Sequence, residues 1–429
     1  MTPETLFHQL LNLGEEWQVI RCQFDAAAGE AHIWVEERPE FWAAETARQS
    51  QTVRLYDHTA DLEWRHLNVF EHRCLLHCRL PRARKPDGSI YRVQPPWEGF
   101  CKHFTKAFEA MTLLLLREMP VAAVARALDE HDTRLWRLLH AHVAAAYPAL
   151  DFSAVTCVGC DEMSVRKGHR YISVFCDLVG KRVLFACAGR DSAAWEKFAQ
   201  ALGGHNGHPR AITHVSIDMS PAYMKGIAQN IGSQARVIFD KFHIISKVNM
   251  AVDEARRAEQ KLCGKEQRAQ LKGARWTLLK NAANLSERQQ LQHQNLLATT
   301  LGTLKAYQMR LALQKIYDIP TVEKARSKLR AWCRWVRWSA AKYAPAILAD
   351  MVRCATTFER EIEGILSHWD GRVTNAFMEG LNSVFSAVVR KARGFRTVDN
   401  LIAMLYFHSA QLDIPATPAA SQSAVSHSK

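Results

Sequence analysis

Along the first hundred residues, apolar and polar positions alternate over short stretches, as at 32–35, 74–80 and 90–93, with polar connections between them. This predicts a small, mostly β region. From 104 to 116 the apolar spacing becomes helical. A second helix opens at Pro120, where a first-turn proline loses no hydrogen bond, and runs to Leu128. After the polar break Asp129, Glu130 and His131, Asp132 is placed to cap a third helix. Its Leu135, Leu138, Leu139 and Val143 share one face, while Thr133, Arg134, Arg137 and His140 share the other. Helix, helix, tight turn and a helix with a basic outer face make a helix-turn-helix pattern, in which Thr133, Arg134 and Arg137 are candidate DNA contacts. An ordinary helical hairpin has the same periodicity.

The pattern changes at Val155. VTCVGC leads to Asp161, YISVFCD and RVLFACA flank a turn at 178–181, HVSI ends at Asp218 and RVIF ends at Asp240. Each run is short and rich in β-branched or aromatic residues, so each is read as a strand. Helices lie between them, one over 193–202 and one in which Ser220 caps and Pro221 occupies the first turn. Three strands, helix, strand, helix, strand, with an antiparallel start, is the order of a ribonuclease H-like mixed sheet. Residues 247–369 then read as almost wholly helical, and a last helix over 374–393 is closed by Gly394 before a small polar tail. The expected class is α+β: a ribonuclease H-like mixed sheet interrupted by a helical insertion, preceded by a helix-turn-helix and a small β region. The corresponding divisions are 1–100, 101–150, 151–250 for the first part of the sheet domain, 251–370 for the insertion, 371–412 for its last helix and 413–429 for the tail.

Composition narrows the class. With 429 residues, 48% apolar and 23% charged, the chain can bury several cores at about 150 residues per domain, which excludes disorder. No apolar run approaches the ~20 residues that span a bilayer, and the N-terminus has no basic segment leading into an apolar one, so a cytoplasmic, nucleoid-associated protein without a membrane partner is expected. Eleven scattered cysteines suggest reduced thiols rather than a disulfide framework. The net charge is +13, yet residues 241–342 alone hold 21 basic and 7 acidic residues, leaving the remainder near neutrality. Such a localised excess reads as a surface for a polyanion, nucleic acid first. Within it, Arg330, Arg334 and Arg337 interleave with Trp332, Trp335 and Trp338. A core stripe suits tryptophans at this spacing, with base stacking as the alternative.

Asp161, Asp218 and Asp240 end apolar strands, where ligands collect on open α/β sheets. Carboxylates gathered there repel one another unless a cation is present. Two Mg²⁺ ions about 4 Å apart would relieve that repulsion and support phosphodiester chemistry. The plain alternative is that strand-end aspartates only cap the next helix. Cys157 and Cys160 form a CxxC, but inside a strand rather than at a helix N-terminus, which argues against redox or zinc use.

The stretches CDEMSVRKGHRYISVFCDL, IDMSPAYMKGIAQN, FDKFHIISKVNMAVDEARRAE and HWDGRVTNAFMEGLNSVFSAVVRKARGFR together resemble the DDE transposases of the ISL-three family of bacterial insertion sequences, over residues 155–408. The resemblance implies Asp161, Asp218 and Glu379 as the catalytic, metal-binding acids, separated by 57 and 161 residues. It implies two Mg²⁺ ions, with Mn²⁺ able to substitute, acting on double-stranded DNA at terminal inverted repeats and at a target, in a homo-oligomeric synaptic complex. The helical insertion before Glu379 coincides with the basic block. Glu379 reads as part of a polar stripe with Asn375 and Ser383, while Phe377, Leu381 and Val384 pack elsewhere. Asp240 and His243 read as supporting residues behind the metal ligands, and Arg390, Lys391, Arg393 and Arg396 as phosphate contacts.

The N-terminus departs from the family, which begins with a zinc-binding cysteine cluster. Here FWAAETA and KPDG stand where cysteines are expected, and His72, Cys74, His77 and Cys78 are left on alternating faces of one strand. A degenerate zinc-finger-like region without structural zinc is therefore expected. The functional expectation is metal-dependent cleavage and strand transfer at element ends. A catalytically silent, domesticated relative acting as a repressor is the alternative. A ribonuclease or Holliday-type nuclease shares the chemistry but explains neither the helix-turn-helix nor the insertion.

Overall fold

In the computed structural model, which describes residues 2–166, 170–280, 284–297, 301–370 and 376–414, the first hundred residues fold as α1 (Pro3–Leu10), β1 (Trp17–Asp25), β2 (Glu30–Glu37), α2 (Glu40–Gln49), β3 (Arg54–His58), β4 (Leu62–Val69), β5 (His72–Cys78), β6 (Pro81–Arg84) and β7 (Ile90–Arg92). The strands form a sheet of order β1-β2-β5-β4 and a smaller one of order β3-β6-β7. Alternation on β5 sends Cys74, Leu76 and Cys78 into an apolar core with Trp17, Ile33 and Trp64. His77 takes the other face, where its ring stacks on Trp34 at 4.8 Å and Nε2 lies 2.9 Å from His32 Nδ1.

Three helices follow: α3 (Lys106–Glu118), α4 (Val121–Leu128) and α5 (Asp132–Ala146). The Thr105 hydroxyl caps α3, and Asp129, at φ +50°, closes α4 in a left-handed turn. The cap of α5 is His131 rather than Asp132: the His131 ring nitrogen accepts from the Thr133 N–H, and Asp132 becomes the first helical residue. Leu135, Leu138, Leu139 and Val143 are buried, as their spacing required.

The second sheet comprises β8 (Cys157–Arg166), β9 (Arg170–Asp177), β10 (Arg182–Ala188), β11 (His214–Ile217) and β12 (Arg236–Phe239), in the order β10-β9-β8-β11-β12. The pairs β10/β9 and β9/β8 are antiparallel, and β8/β11 and β11/β12 are parallel. Helices α6 (Ala193–Gly204) and α7 (Pro221–Asn230) supply the crossovers. At Gly226 a Cβ would stand 2.6 Å from the Trp195 ring, so only glycine permits this approach of α7 to α6. One strand boundary differs from expectation: β8 continues five residues past Asp161, which therefore lies mid-strand opposite Val174.

The basic stretch is helical: α8 (Lys241–Leu262), α9 (Lys265–Leu271), α10 (Arg275–Leu279), α11 (Glu287–Leu297), α12 (Gly302–Ile316), α13 (Val322–Tyr343), α14 (Ala349–Arg360) and α15 (Ile362–Leu366), followed by α16 (Ala376–Lys391) and α17 (Val398–Ser409). The tryptophans of α13 divide between two roles. Trp332 is buried and donates its indole N–H to the Met309 carbonyl at 2.8 Å, whereas Trp338 is 54% exposed. The chain forms two units, residues 1–150 with 385–429 and residues 151–384, so their boundary falls within α16. In the first unit α17 lies along α5, with the Tyr147 and Tyr406 rings 4.6 Å apart and His140 Nε2 2.8 Å from Asn400 Oδ1. Among the described residues, no helix is long and apolar enough to cross a membrane.

Candidate active site

Strand register builds the site. In the parallel ladder His214 pairs with Cys157 and Ser216 with Gly159, while His214 pairs with Arg236 and Ile217 with Phe239. Continued by one or two places, that register sets Asp161, Asp218 and Asp240 in one row across β8, β11 and β12. Chain segments far apart in sequence thus deliver three carboxylates to the same level of the sheet, with the same side-chain phase.

Each acid has different local partners. Asp161 Oδ2 accepts the Asn382 side-chain N–H at 2.6 Å, and its Oδ1 accepts the Glu162 backbone N–H at 2.8 Å. Asp218 Oδ1 accepts the Ser220 N–H at 3.0 Å, so this aspartate holds the turn into α7 and the Ser220 hydroxyl makes no capping bond. Asp240 is the N-cap of α8, accepting from the Phe242 N–H at 3.0 Å. His243, one turn into α8, sets Nε2 3.9 Å from Asp161 Oδ1 and 3.8 Å from Asp240 Oδ2.

The field of the site is that of crowded carboxylates. Burial raises the Asp218 pKa and the Asp161 charge adds to it, while His243, the Ser220 N–H and Lys247 oppose the rise. Glu162 is also raised, by burial first and then by the charge of Asp218, against a pull from Arg190 at 3.8 Å. Glu162 is not among the residues expected from the sequence, because that reading ends the strand at Asp161 whereas β8 runs five residues further; the signal is the residues of strand type past Asp161. An all-oxygen donor set carrying surplus negative charge suits a hard divalent cation such as Mg²⁺ or Mn²⁺.

Glu379 stands on α16 three residues before Asn382. Its side chain, and Asn375 altogether, lie outside the described residues. Among the described side chains of α16, Asn382 meets Asp161. Ser383 is exposed, and Val384 is 55% exposed rather than packed. Close packing brings α16 to the sheet here, since a Cβ at Gly159 would meet Met378 at 3.1 Å.

The candidate DNA contacts differ in exposure and in partners, the Thr133 hydroxyl lying 2.8 Å from His131 Nδ1 and Arg137 Nε donating to the Thr133 carbonyl at 3.4 Å. On α5, Thr133 and Arg137 are exposed, but Arg134 pairs with Glu130 at 2.9 Å and lies over the Phe104 ring. On α13, Arg330 and Arg334 are exposed, and Arg337 pairs with Glu359. Arg390, Lys391 and Arg393 belong to the helix-turn-helix unit. There Lys391 Nζ donates to the Glu118 carbonyl at 3.5 Å, Phe395 meets Trp136 of α5 edge-on at 6.1 Å, and Arg396 reaches Asp132 at 3.9 Å. A cavity of about 240 Å³ between this turn and the helices is lined by Arg117, Trp136, Lys391, Arg396 and His408. Cys157 and Cys160 are buried free thiols of β8.

Comparison with known proteins agrees with this architecture. Residues 158–405 match the ISL3-type DDE family described as Transposase, and residues 102–143 match the helix-turn-helix domain of transposase family ISL3. The transposase for insertion sequence element IS1001 of Bordetella parapertussis is 28% identical over 338 residues, covering 77% of this chain and 80% of that protein. The transposase for insertion sequence element IS1557 of Mycobacterium tuberculosis is 26% identical over 431 residues, covering 93% of this chain and 94% of that protein.

Proposed function

Because the chain belongs to the ISL3 family of DDE transposases, we propose that it cuts the DNA at the ends of its own insertion sequence and joins them to a target, with Asp161, Asp218 and Glu379 as the catalytic acids. The observation that carries this reading is the row formed by Asp161, Asp218 and Asp240 on adjacent parallel strands, with Asn382 of the Glu379 helix bonded to Asp161. The strand order β10-β9-β8-β11-β12 supports a ribonuclease H-like sheet domain, interrupted by the helical insertion.

Asp161, Asp218 and Glu379 would hold two Mg²⁺ ions, or Mn²⁺ in their place, which when bound supply a nucleophilic oxygen and stabilise the leaving oxygen. The protein's own groups prepare that arrangement. Asn382 fixes one oxygen of Asp161, and the Ser220 N–H fixes one oxygen of Asp218. Asp240 and His243 are positioning residues: Asp240 starts α8 and thereby sets His243 between itself and Asp161. Glu162 adds negative charge that strengthens the site's demand for cations.

DNA recognition falls to α5, through Thr133 and Arg137, with Arg134 bracing the helix against Glu130 and Phe104. Arg330 and Arg334, with Arg390, Lys391 and Arg393, contribute phosphate contacts, and Arg337 acts through its pair with Glu359. Bringing two element ends together calls for a homo-oligomer, and such a protein works at the nucleoid. In this reading the chain is organised as a degenerate zinc-finger-like region (1–100), a helix-turn-helix (101–150), a split catalytic domain (151–250 and the Glu379 helix of 371–412), its insertion (251–370) and a tail, with residues from 385 onwards packing in the helix-turn-helix unit.

The test uses Asp161→Asn, Asp218→Asn and Glu379→Gln with DNA carrying the inverted repeats that flank the gene. Each variant should lose at least about 1,000-fold in cleavage, which corresponds to about 4 kcal/mol of transition-state stabilisation, and should keep its affinity for the repeats. A variant that still cleaves removes its residue from the triad. A wild-type protein that binds the repeats and never cuts them in Mg²⁺ or Mn²⁺ would establish the silent, repressor-like alternative.

A further inference from the structure

A second cluster of ligand-type side chains lies in the helix-turn-helix unit, among residues to which no role has been given above. Glu109 of α3 is 3% exposed, and its Oε2 lies 3.0 Å from His142 Nε2 on α5. The loop before α3 closes over the same carboxylate, with the Phe100 N–H donating to Oε2 at 3.0 Å and the Cys101 N–H donating to Oε1 at 2.7 Å. Gly99 permits that closure, since a Cβ there would stand 2.5 Å from Oε1. The ligand atoms of Cys101, Glu109 and His142 all lie within 4.8 Å of one another.

We infer that Cys101, Glu109 and His142 form a binding site for one zinc-type divalent cation. One sulfur, one nitrogen and one oxygen donor suit a borderline-soft ion and not Mg²⁺ or Ca²⁺, which take oxygen ligands. Tetrahedral bonds of about 2.0–2.3 Å set donors roughly 3.3–3.8 Å apart. The observed spread therefore closes through a small swing of Cys101, which is half-buried on a loop. The two backbone N–H groups hold the carboxylate in place, as outer partners of a metal ligand do. The Cys101 side opens to solvent, so water completes the coordination. A thiolate and a carboxylate balance a +2 ion within the packed helices, and the ion ties the loop before α3 to the far end of α5. This site is separate from Cys74 and Cys78, which belong to the apolar core of the β region. It uses none of the N-terminal cysteines and histidines from whose pattern the absence of a structural zinc is expected.

The experiment takes the full-length protein, purified without chelator, measures its zinc content, and replaces the zinc by Co²⁺. About one zinc per chain and a cobalt–thiolate charge-transfer absorption are expected. Cys101→Ser should abolish that absorption, and His142→Gln should weaken zinc binding by more than about 100-fold. Asp161→Asn should leave the absorption unchanged, which separates this site from the proposed catalytic centre, whose donors include no sulfur. A wild-type protein that binds no zinc and shows no cobalt–thiolate absorption overturns the inference, as does absorption that survives in Cys101→Ser. The wild-type zinc count and cobalt spectrum decide the matter even if a variant fails to fold.

Discussion

Glu259 shows how one side chain holds the helical insertion together. It sits on α8, is 6% exposed, and accepts the Gly302 N–H at 2.8 Å, the Thr303 N–H at 2.7 Å and the Thr303 hydroxyl at 2.6 Å. These donors form the first turn of α12, whose own N-cap residue, Leu301, offers no capping side chain. The carboxylate of α8 is therefore the cap of α12, and its charge faces the positive end of that helix. Glu259→Ala leaves two helix N–H groups and a fully buried hydroxyl without an acceptor. At about 1–3 kcal/mol for each buried donor, plus about 0.3–1 kcal/mol for the helix dipole, the gross loss is several kcal/mol. Relief from desolvating the carboxylate offsets part of it, so a net cost of about 3–5 kcal/mol is expected. Glu259→Gln keeps one acceptor oxygen and should cost about half as much. Urea unfolding followed by far-UV circular dichroism measures both variants, and the thermal midpoint of the alanine variant should fall by roughly 10 °C. An alanine variant within about 1 kcal/mol of the parent would show that α12 does not depend on this cap.

Two further outcomes follow from exposed charge and from a half-buried imidazole. Replacing Lys324, Lys328, Arg330 and Arg334 together by alanine should weaken DNA binding and flatten the slope of log K against log salt by up to about 3 to 4, one phosphate contact being worth about 0.9. Replacing Arg326 and Arg337, which pair with Glu363 and Glu359, should change it less, and an unchanged slope in the fourfold variant would mean that this helix face does not touch phosphate. Burial first, and the charge of Arg65 second, hold the His66 pKa down to about 4, so the folded protein keeps this imidazole neutral. Its contribution is complete above the unfolded value of about 6.5 and is lost as pH falls from there towards 4, by up to about 3 kcal/mol. His66→Gln should flatten that part of the stability–pH curve, and a parent curve level between pH 6.5 and 4 would contradict the assignment.

Periodicity in the chain was enough to define the elements whose faces are one-sided. Leu135, Leu138, Leu139 and Val143 face inward because helical spacing gives them no other common direction, and HVSI and RVIF, short and rich in β-branched residues, pair as parallel strands. The resemblance to a family supplied Asp161, Asp218 and Glu379 as candidates, and local charge counting located the basic insertion. Other features depended on contacts between distant segments. The cap of α5 went to His131 because its ring nitrogen reaches the Thr133 N–H, which Asp132, inside the first turn, does not. Asn382 meets Asp161 across 221 residues of chain, and Ser383, its neighbour, is exposed. The basic turn after α16 packs on α5, although in sequence it follows Glu379 directly. Cys101, Glu109 and His142 carry no spacing that marks them as a set; α3 and α5 bring them together. The physical reason is common to all of these. Side-chain periodicity is a property of each segment and is written in the sequence, whereas register between strands and the crossing of helices are settled by hydrogen-bond ladders and close packing between segments, and only these put Asp161, Asp218 and Asp240 at one level of the sheet.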